Sequence, residues 1–310
     1  MRIILSDKKL DNDKFPSDVE VGSVSYNELD KYAGNSDVVA IAGSRAMAIK
    51  SAELDLPSLK LFQLTSAGFD GVPCEKYAEK GIAVANAGNV YSAPIAETVV
   101  FGILSSAKKL RPNINNRHFK FMRGYNLITE LQGKHVLIMG AGNIGTAVAS
   151  RLSGFEMIVD GYDPYCPQKP QYNRILRSAV ELYSAAGEYD YIVSTMPDNE
   201  HTRKFIGAEL IGKFKDSAVI INVGRKAVFD EDALYLALKN KKLGGAVLDM
   251  FEKVPNPITN KFRRLKNVMV LPGVAAISRE VNERLSIHMT NNILALLCGE
   301  EISNVINGVK

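Results

Sequence analysis

The sequence predicts an α/β protein of two domains, each built on a parallel sheet. Three observations carry that expectation. The chain has 310 residues, about twice the roughly 150 residues of a typical domain. Short apolar runs alternate with helix-length segments along most of its length. The run Gly140-Ala141-Gly142-Asn143-Ile144-Gly145 lies between an apolar strand and a helical pattern, the context in which a glycine turn cradles a dinucleotide.

The first ninety residues place strands at Arg2–Leu5, Val38–Ala42, Leu61–Thr65 and Ile82–Ala85. Strands apolar on both faces and separated by crossover segments belong to a sheet covered on both sides. Loops of small residues follow two of them, at Ser66-Ala67-Gly68 and Asn86-Ala87-Gly88-Asn89. In open α/β sheets, ligands collect at the carboxyl ends of strands.

A long helix comes next, with Ser92 as its N-cap and Pro94 in the first turn. Ala96, Val99, Val100, Ile103 and Leu104 form its apolar stripe, and Lys108, Lys109 and Arg111 suit its carboxyl end. It crosses from one domain to the next. Residues Pro112 to Gly133 are polar and mixed and receive no assignment.

From Lys134 a second alternation begins, with six strands at His135–Met139, Met157–Tyr162, Tyr191–Ser194, Ala218–Val223, Gly245–Leu248 and Val268–Leu271. Six strands with intervening helices make a complete dinucleotide-binding domain. Pro164–Asn173, with three prolines, is a loop. The final helix, Arg279 to Leu297, carries Val281, Leu285, Met289, Ile293 and Leu297 at helical spacing and is expected to return to the first domain.

Composition excludes several classes. Lys plus Arg exceed Asp plus Glu by four (38 − 34), and the basic residues are scattered without interleaved aromatics, so nucleic acid is not an expected partner. Cys74, Cys166 and Cys298 are widely spaced, which argues against a disulfide framework or a zinc site. Free thiols, a strand beginning at Arg2 and no apolar run of roughly 20 residues predict a cytoplasmic protein with no membrane span.

The chemistry follows from residue types. Gly140 makes the tight turn, Gly142 admits the pyrophosphate, and Gly145 lets helix and strand pack closely. Asn143 and Ile144 open the helix whose N-terminus faces the phosphates. Asp163 ends the next strand and suits the adenosine ribose hydroxyls; since Pro164 and Tyr165 bring no guanidinium, NAD is expected over NADP. Arg225 follows the strand through Asn222, and its planar fork suits a substrate carboxylate. Asp249 ends another strand and is placed near the nicotinamide.

These stretches together resemble the D-isomer-specific 2-hydroxyacid dehydrogenase family. The match is carried by Thr65–Asp70, Ile95-Ala96-Glu97, Gly140–Gly145, Gly161–Pro164 and Ser194-Thr195-Met196-Pro197, and then by Ile221–Arg225, Ala246–Glu252 and Leu265–Pro272. The resemblance implies a Rossmann NAD-binding domain over 93–279 and a flavodoxin-like substrate domain of 1–92 plus 280–310. It implies a homodimer, with Pro197 and Asp249 among the cofactor contacts. Backbone N–H groups of Ser66, Ala67 and Gly68 would meet the carboxylate of a small 2-oxo or 2-hydroxy acid. Arg225 would contact that carboxylate and the C2 oxygen, while hydride moves between C2 and the nicotinamide.

The family's histidine and glutamate, which transfer the proton, have no counterpart at the matching positions. Gly273 stands at the histidine position after Pro272, and Val254 at the glutamate position. Positioned acid–base catalysis contributes about 10²–10⁴-fold, or about 2.7–5.4 kcal/mol of barrier. A slower enzyme or another proton donor is therefore expected. Glu252 is the leading candidate, ahead of Tyr91, Lys226 and Arg279. His118, His135, His201 and His288 read as surface or core residues. The alternative is a non-catalytic NAD(H)-binding protein whose dinucleotide state controls a partner surface.

Overall fold

The computed structural model describes residues 2–110, 128–249 and 260–309, and the chain divides into two compact units, Met1–Tyr91 with Ser278–Lys310, and Ser92–Ile277. Among the described residues no helix is long and apolar enough to cross a membrane.

In the first unit five parallel strands lie in the order β2-β1-β3-β4-β5. They are β1 (Arg2–Ser6), β2 (Val19–Ser23), β3 (Val38–Gly43), β4 (Leu61–Leu64) and β5 (Ala83–Ala85). β4 is buried along its whole length and β3 nearly so, which explains why both read as continuous apolar runs. β2 was not foreseen from sequence. Its Val-Glu-Val-Gly-Ser pattern is half-exposed at the sheet edge, where little apolar content is required. One face packs Leu5, Ile41, Phe62 and Leu64 against Met47 of α1 (Arg45–Ser51) and Tyr77 of α2 (Cys74–Glu79). The other packs Ile4, Ala40 and Leu61 against Val281, Leu285, Met289 and Ile293 of the last helix, Arg279–Cys298, four positions at helical spacing. Beyond that helix the chain lies against the β5 edge, with Ile306 N–H donating to Val84 O at 2.8 Å and Asn307 Oδ1 accepting from Val84 N at 3.0 Å. The edge is thereby covered.

In the second unit seven parallel strands take the order β12-β11-β10-β9-β6-β7-β8. They are β6 (His135–Met139), β7 (Ile158–Tyr162), β8 (Arg174–Leu176), β9 (Tyr191–Ser194), β10 (Val219–Asn222), β11 (Gly245–Leu248) and β12 (Val268–Val270). The periodicity predicts six; the seventh, β8, is a three-residue edge strand beginning with an exposed arginine. The order reverses between β6 and β9, the switch point where doubly wound sheets bind dinucleotides. α3 (Ser92–Ala107) packs on α4 (Asn143–Leu152). Ser92 is the first residue of α3 rather than its N-cap, and its buried Oγ has no hydrogen-bond partner among the described residues.

Candidate functional site

The turn after β6 is built as its glycines require. Gly140 has φ +100°, and a Cβ there would sit 2.8 Å from Thr195 Oγ1. A Cβ on Gly145 would lie 2.0 Å from Gly140 O, so helix and turn touch through backbone alone. A Cβ on Gly142 would meet nothing within 4 Å; that glycine faces open space. The turn is anchored by Gly140 N donating to Tyr162 O at 2.9 Å and by Thr195 Oγ1 donating to Gly140 O at 2.8 Å. Gly142 is the N-cap of α4. The N–H groups of Gly142, Asn143, Ile144 and Gly145 have no acceptor among the described residues. Four unfilled donors at a positive helix end, beside a glycine with no side chain, fit a pyrophosphate.

Asp163 follows β7. Its Oδ2 accepts the Ala141 N–H at 3.0 Å, and its Oδ1 accepts the N–H groups of Tyr165 at 3.0 Å and Cys166 at 3.1 Å. The sequence pattern assigns this carboxylate to ribose hydroxyls; its oxygens also fasten the glycine turn to β7 and shape the loop beyond. That loop also brings Lys169 back to the glycine turn. Lys169 Nζ donates to Ala141 O at 2.6 Å and to Thr146 Oγ1 at 3.1 Å. A lysine seven positions beyond the end of β7 carries no local signal of this role, because the loop's return creates it.

In the first unit, Ser66, Ala67 and Gly68 follow β4. Every carbonyl from Thr65 to Gly68 is occupied. Tyr91 Oη donates to Thr65 O at 2.5 Å, Ala87 N to Ser66 O at 3.1 Å, Asn86 Nδ2 to Ala67 O at 2.8 Å, and Ser66 Oγ to Gly68 O at 2.7 Å. By contrast, the N–H groups of Ser66, Ala67 and Gly68 have no acceptor among the described residues. Three consecutive N–H groups left open in this way are donors that an anion could take up. The supports are themselves held by the last helix, where His288 Nε2 lies 2.9 Å from Asn86 O and Arg284 Nη2 donates to Val90 O at 3.2 Å. Burial pushes the Tyr91 phenol above its ordinary value, so it remains a donor at neutral pH.

Arg225 leaves the end of β10 and donates from Nη1 to Gly224 O at 3.2 Å, next to the fully buried β10 run. Asp249 is buried, and both its oxygens accept backbone N–H groups, Val274 at 2.8 Å and Ala275 at 3.1 Å. It therefore anchors the loop after β12. Gly273 in that loop has φ +76°, a conformation that most side chains avoid. Pro197 follows β9, is exposed, and its carbonyl accepts Thr202 Oγ1 at 2.7 Å. Glu252 and Val254 lie outside the described residues.

Comparison with known proteins agrees with this architecture. Residues 99–275 match the model of the "D-isomer specific 2-hydroxyacid dehydrogenase, NAD binding domain". The chain is 31% identical over 272 residues to glyoxylate/hydroxypyruvate reductase B of Pectobacterium carotovorum, covering 86% of this chain and 85% of that one. It is 30% identical over 302 residues to D-3-phosphoglycerate dehydrogenase of Methanocaldococcus jannaschii, covering 94% of this chain but only 55% of the longer relative. Among solved structures, an NADPH-dependent glyoxylate/hydroxypyruvate reductase from Sinorhizobium meliloti, in complex with NADP and malonate, superposes with a TM-score of 0.78 at 25% identity, covering 99% of this chain and 97% of that one. The nicotinamide-dinucleotide turn and the two parallel sheets thus have a common origin with these enzymes: the chain belongs to the D-isomer specific 2-hydroxyacid dehydrogenase family.

Proposed function

We propose that this chain is an oxidoreductase that moves hydride between a nicotinamide dinucleotide and a small 2-oxo or 2-hydroxy acid. The observation that carries the reading is the Ser66–Gly68 loop, whose carbonyls are all engaged while its three N–H groups are left for an anion. A carboxylate fills that role. The glycine turn after β6 supplies the second requirement, a seat for the dinucleotide phosphates. When bound, the dinucleotide supplies or accepts the hydride at C2. Arg225 is assigned the carboxylate and the C2 oxygen, since a guanidinium stays charged and can polarise a carbonyl. Glyoxylate and hydroxypyruvate, which appear in the names of two relatives, are the first substrates to try. NAD(H) as cofactor rests on Asp163, and a homodimer on the family resemblance.

In the reductive direction the C2 oxygen must gain a proton. Gly273 cannot donate one, and Val254 has no titratable group to orient a donor. Proton transfer therefore differs from the family pattern, with Glu252 as the proposed source and a rate lowered by up to the 10²–10⁴-fold of positioned acid–base catalysis, an approximate range. The test is oxidation of NADH and NADPH by the purified chain with glyoxylate, hydroxypyruvate and pyruvate. Activity that falls with Arg225→Gln supports the reading, whereas no turnover with any acid removes it. The same two positions, Gly273 and Val254, favour a second reading, a dinucleotide-binding regulator. That reading requires NADH binding without turnover.

A further inference from the structure

A cation stands beside the glycine turn. Lys169 is half-buried, its ammonium held by two neutral oxygens, Ala141 O at 2.6 Å and Thr146 Oγ1 at 3.1 Å, with no carboxylate partner among the described residues. An ammonium has three N–H donors, so one is left. The loop that presents it is built rather than slack. Tyr165 and Cys166 donate to Asp163, Tyr172 N donates to Lys169 O at 3.1 Å, and Gln168 Nε2 donates to Tyr172 O at 2.8 Å. Asn173 N then donates to Val159 O at 2.7 Å, returning the loop to β7. Asp163 and Lys169 thus grip opposite ends of one residue, taking the Ala141 N–H and the Ala141 C=O respectively.

We propose that Lys169 is the cofactor-specificity residue of this chain. Its remaining N–H meets a phosphate on the 2′ oxygen of the adenosine ribose, so the site takes NADP(H) as well as NAD(H). The inference rests on the dinucleotide reading of the turn. Two facts on opposite sides of Ala141 support it. The Asp163 carboxylate, which alone would repel a 2′-phosphate, is engaged by three backbone N–H donors that offset its charge. The Lys169 ammonium places an uncompensated positive charge next to the same residue. Expecting NAD alone from Pro164 and Tyr165 considers only the residues adjacent in sequence, whereas the loop delivers a cation from six positions away.

The experiment is equilibrium titration of the full chain with NADH and with NADPH, followed by nicotinamide fluorescence, for the wild type, Lys169→Gln and Lys169→Arg. Glutamine keeps an N–H donor on a side chain one atom shorter and removes the charge. The wild type should bind both dinucleotides. Lys169→Gln should weaken NADPH about tenfold or more, the scale of one charge-assisted hydrogen bond, and leave NADH within about twofold. Lys169→Arg should retain NADPH, and NADPH binding should fall more steeply with salt than NADH binding. NADH binding without NADPH binding in the wild type overturns the proposal and leaves the dinucleotide reading standing, as does equal weakening of both by Lys169→Gln. Binding of neither by the wild type overturns both.

Discussion

Asp163 Oδ2 accepts the Ala141 N–H at 3.0 Å, which makes the end of β7 and the glycine turn after β6 one hydrogen-bonded unit. The carboxylate therefore sets the shape of the turn before any ligand arrives. Asp163→Ala should weaken NADH by about tenfold or more, because three N–H groups lose a charged acceptor, and weaken NADPH less, because a charge that repels the 2′-phosphate goes with it. It should also lower the melting temperature without ligand. A ribose contact alone would not move that second readout, and differential scanning fluorimetry measures it.

Gly142 and Gly145 separate binding from folding. Gly145→Ala forces a Cβ to within 2.0 Å of Gly140 O, and overpacking of this kind costs about 1–3 kcal/mol or more. Its denaturation midpoint should fall. Gly142→Ala meets nothing within 4 Å, so the midpoint should hold while NADH affinity drops, because the methyl occupies the space left for phosphate. Urea titration and fluorescence titration on both variants resolve the two effects.

Tyr91 Oη and Asn86 Nδ2 hold the carbonyls of Thr65 and Ala67, which fixes the peptide units that carry the intervening N–H groups. Tyr91→Phe leaves the buried Thr65 carbonyl without its donor, a loss of about 1–3 kcal/mol. The expected result is a KM for the 2-oxo acid raised about tenfold, with the dinucleotide Kd unchanged. Steady-state kinetics with each substrate varied in turn tests this.

Asp7, at the end of β1, has a buried Oδ1 with no hydrogen-bond partner among the described residues, and its Oδ2 accepts Ser44 N at 3.3 Å. Burial is the main cause that raises its pKa, against the lowering influence of Lys8 and the Ser44 N–H. A carboxyl with a raised pKa holds its proton more tightly in the folded chain than in the unfolded one. Its contribution to stability is therefore present at low pH and is lost as pH rises from the ordinary carboxylate value through the raised one. Asp7→Asn should then melt higher than wild type at neutral pH, and the difference should shrink as pH falls through that window. Melting curves across pH 3 to pH 8, about the range that spans it, read this directly.

Placing a proton relay at Val254 and Gly273 tests the proposed loss of one there. Val254→Glu with Gly273→His should raise turnover, by up to about 10²-fold at the low end of positioned acid–base catalysis. The histidine must adopt φ near the +76° of Gly273, a strain of about 1–2 kcal/mol, so the double variant should melt lower while reacting faster. Stopped-flow or steady-state oxidation of NADH measures the gain.

The sequence made some of this legible and hid the rest for physical reasons. The β6–turn–α4–β7 unit could be read because each glycine answers a steric demand that no other residue meets. The apolar residues of the last helix, Val281, Leu285, Met289 and Ile293, could be read because burial imposes a period. β2 and β8 escaped because short edge strands need few apolar residues. The Ser66–Gly68 loop was reached through family resemblance; its reason, carbonyls engaged and N–H groups open, exists only once Tyr91, Ala87 and Asn86 are folded against it. Lys169 was invisible because nothing near it in sequence states where a proline-rich loop will return.

One unit is continuous in the chain, Ser92–Ile277, and the other is split around it into Met1–Tyr91 and Ser278–Lys310. During synthesis the unit with the glycine turn is therefore complete while the split unit still waits for the helix that covers Ile4, Ala40 and Leu61. The first ninety residues must hold an apolar sheet face open until the last helix leaves the ribosome. Completion of that unit is postponed until after the continuous unit, Ser92–Ile277, has been made.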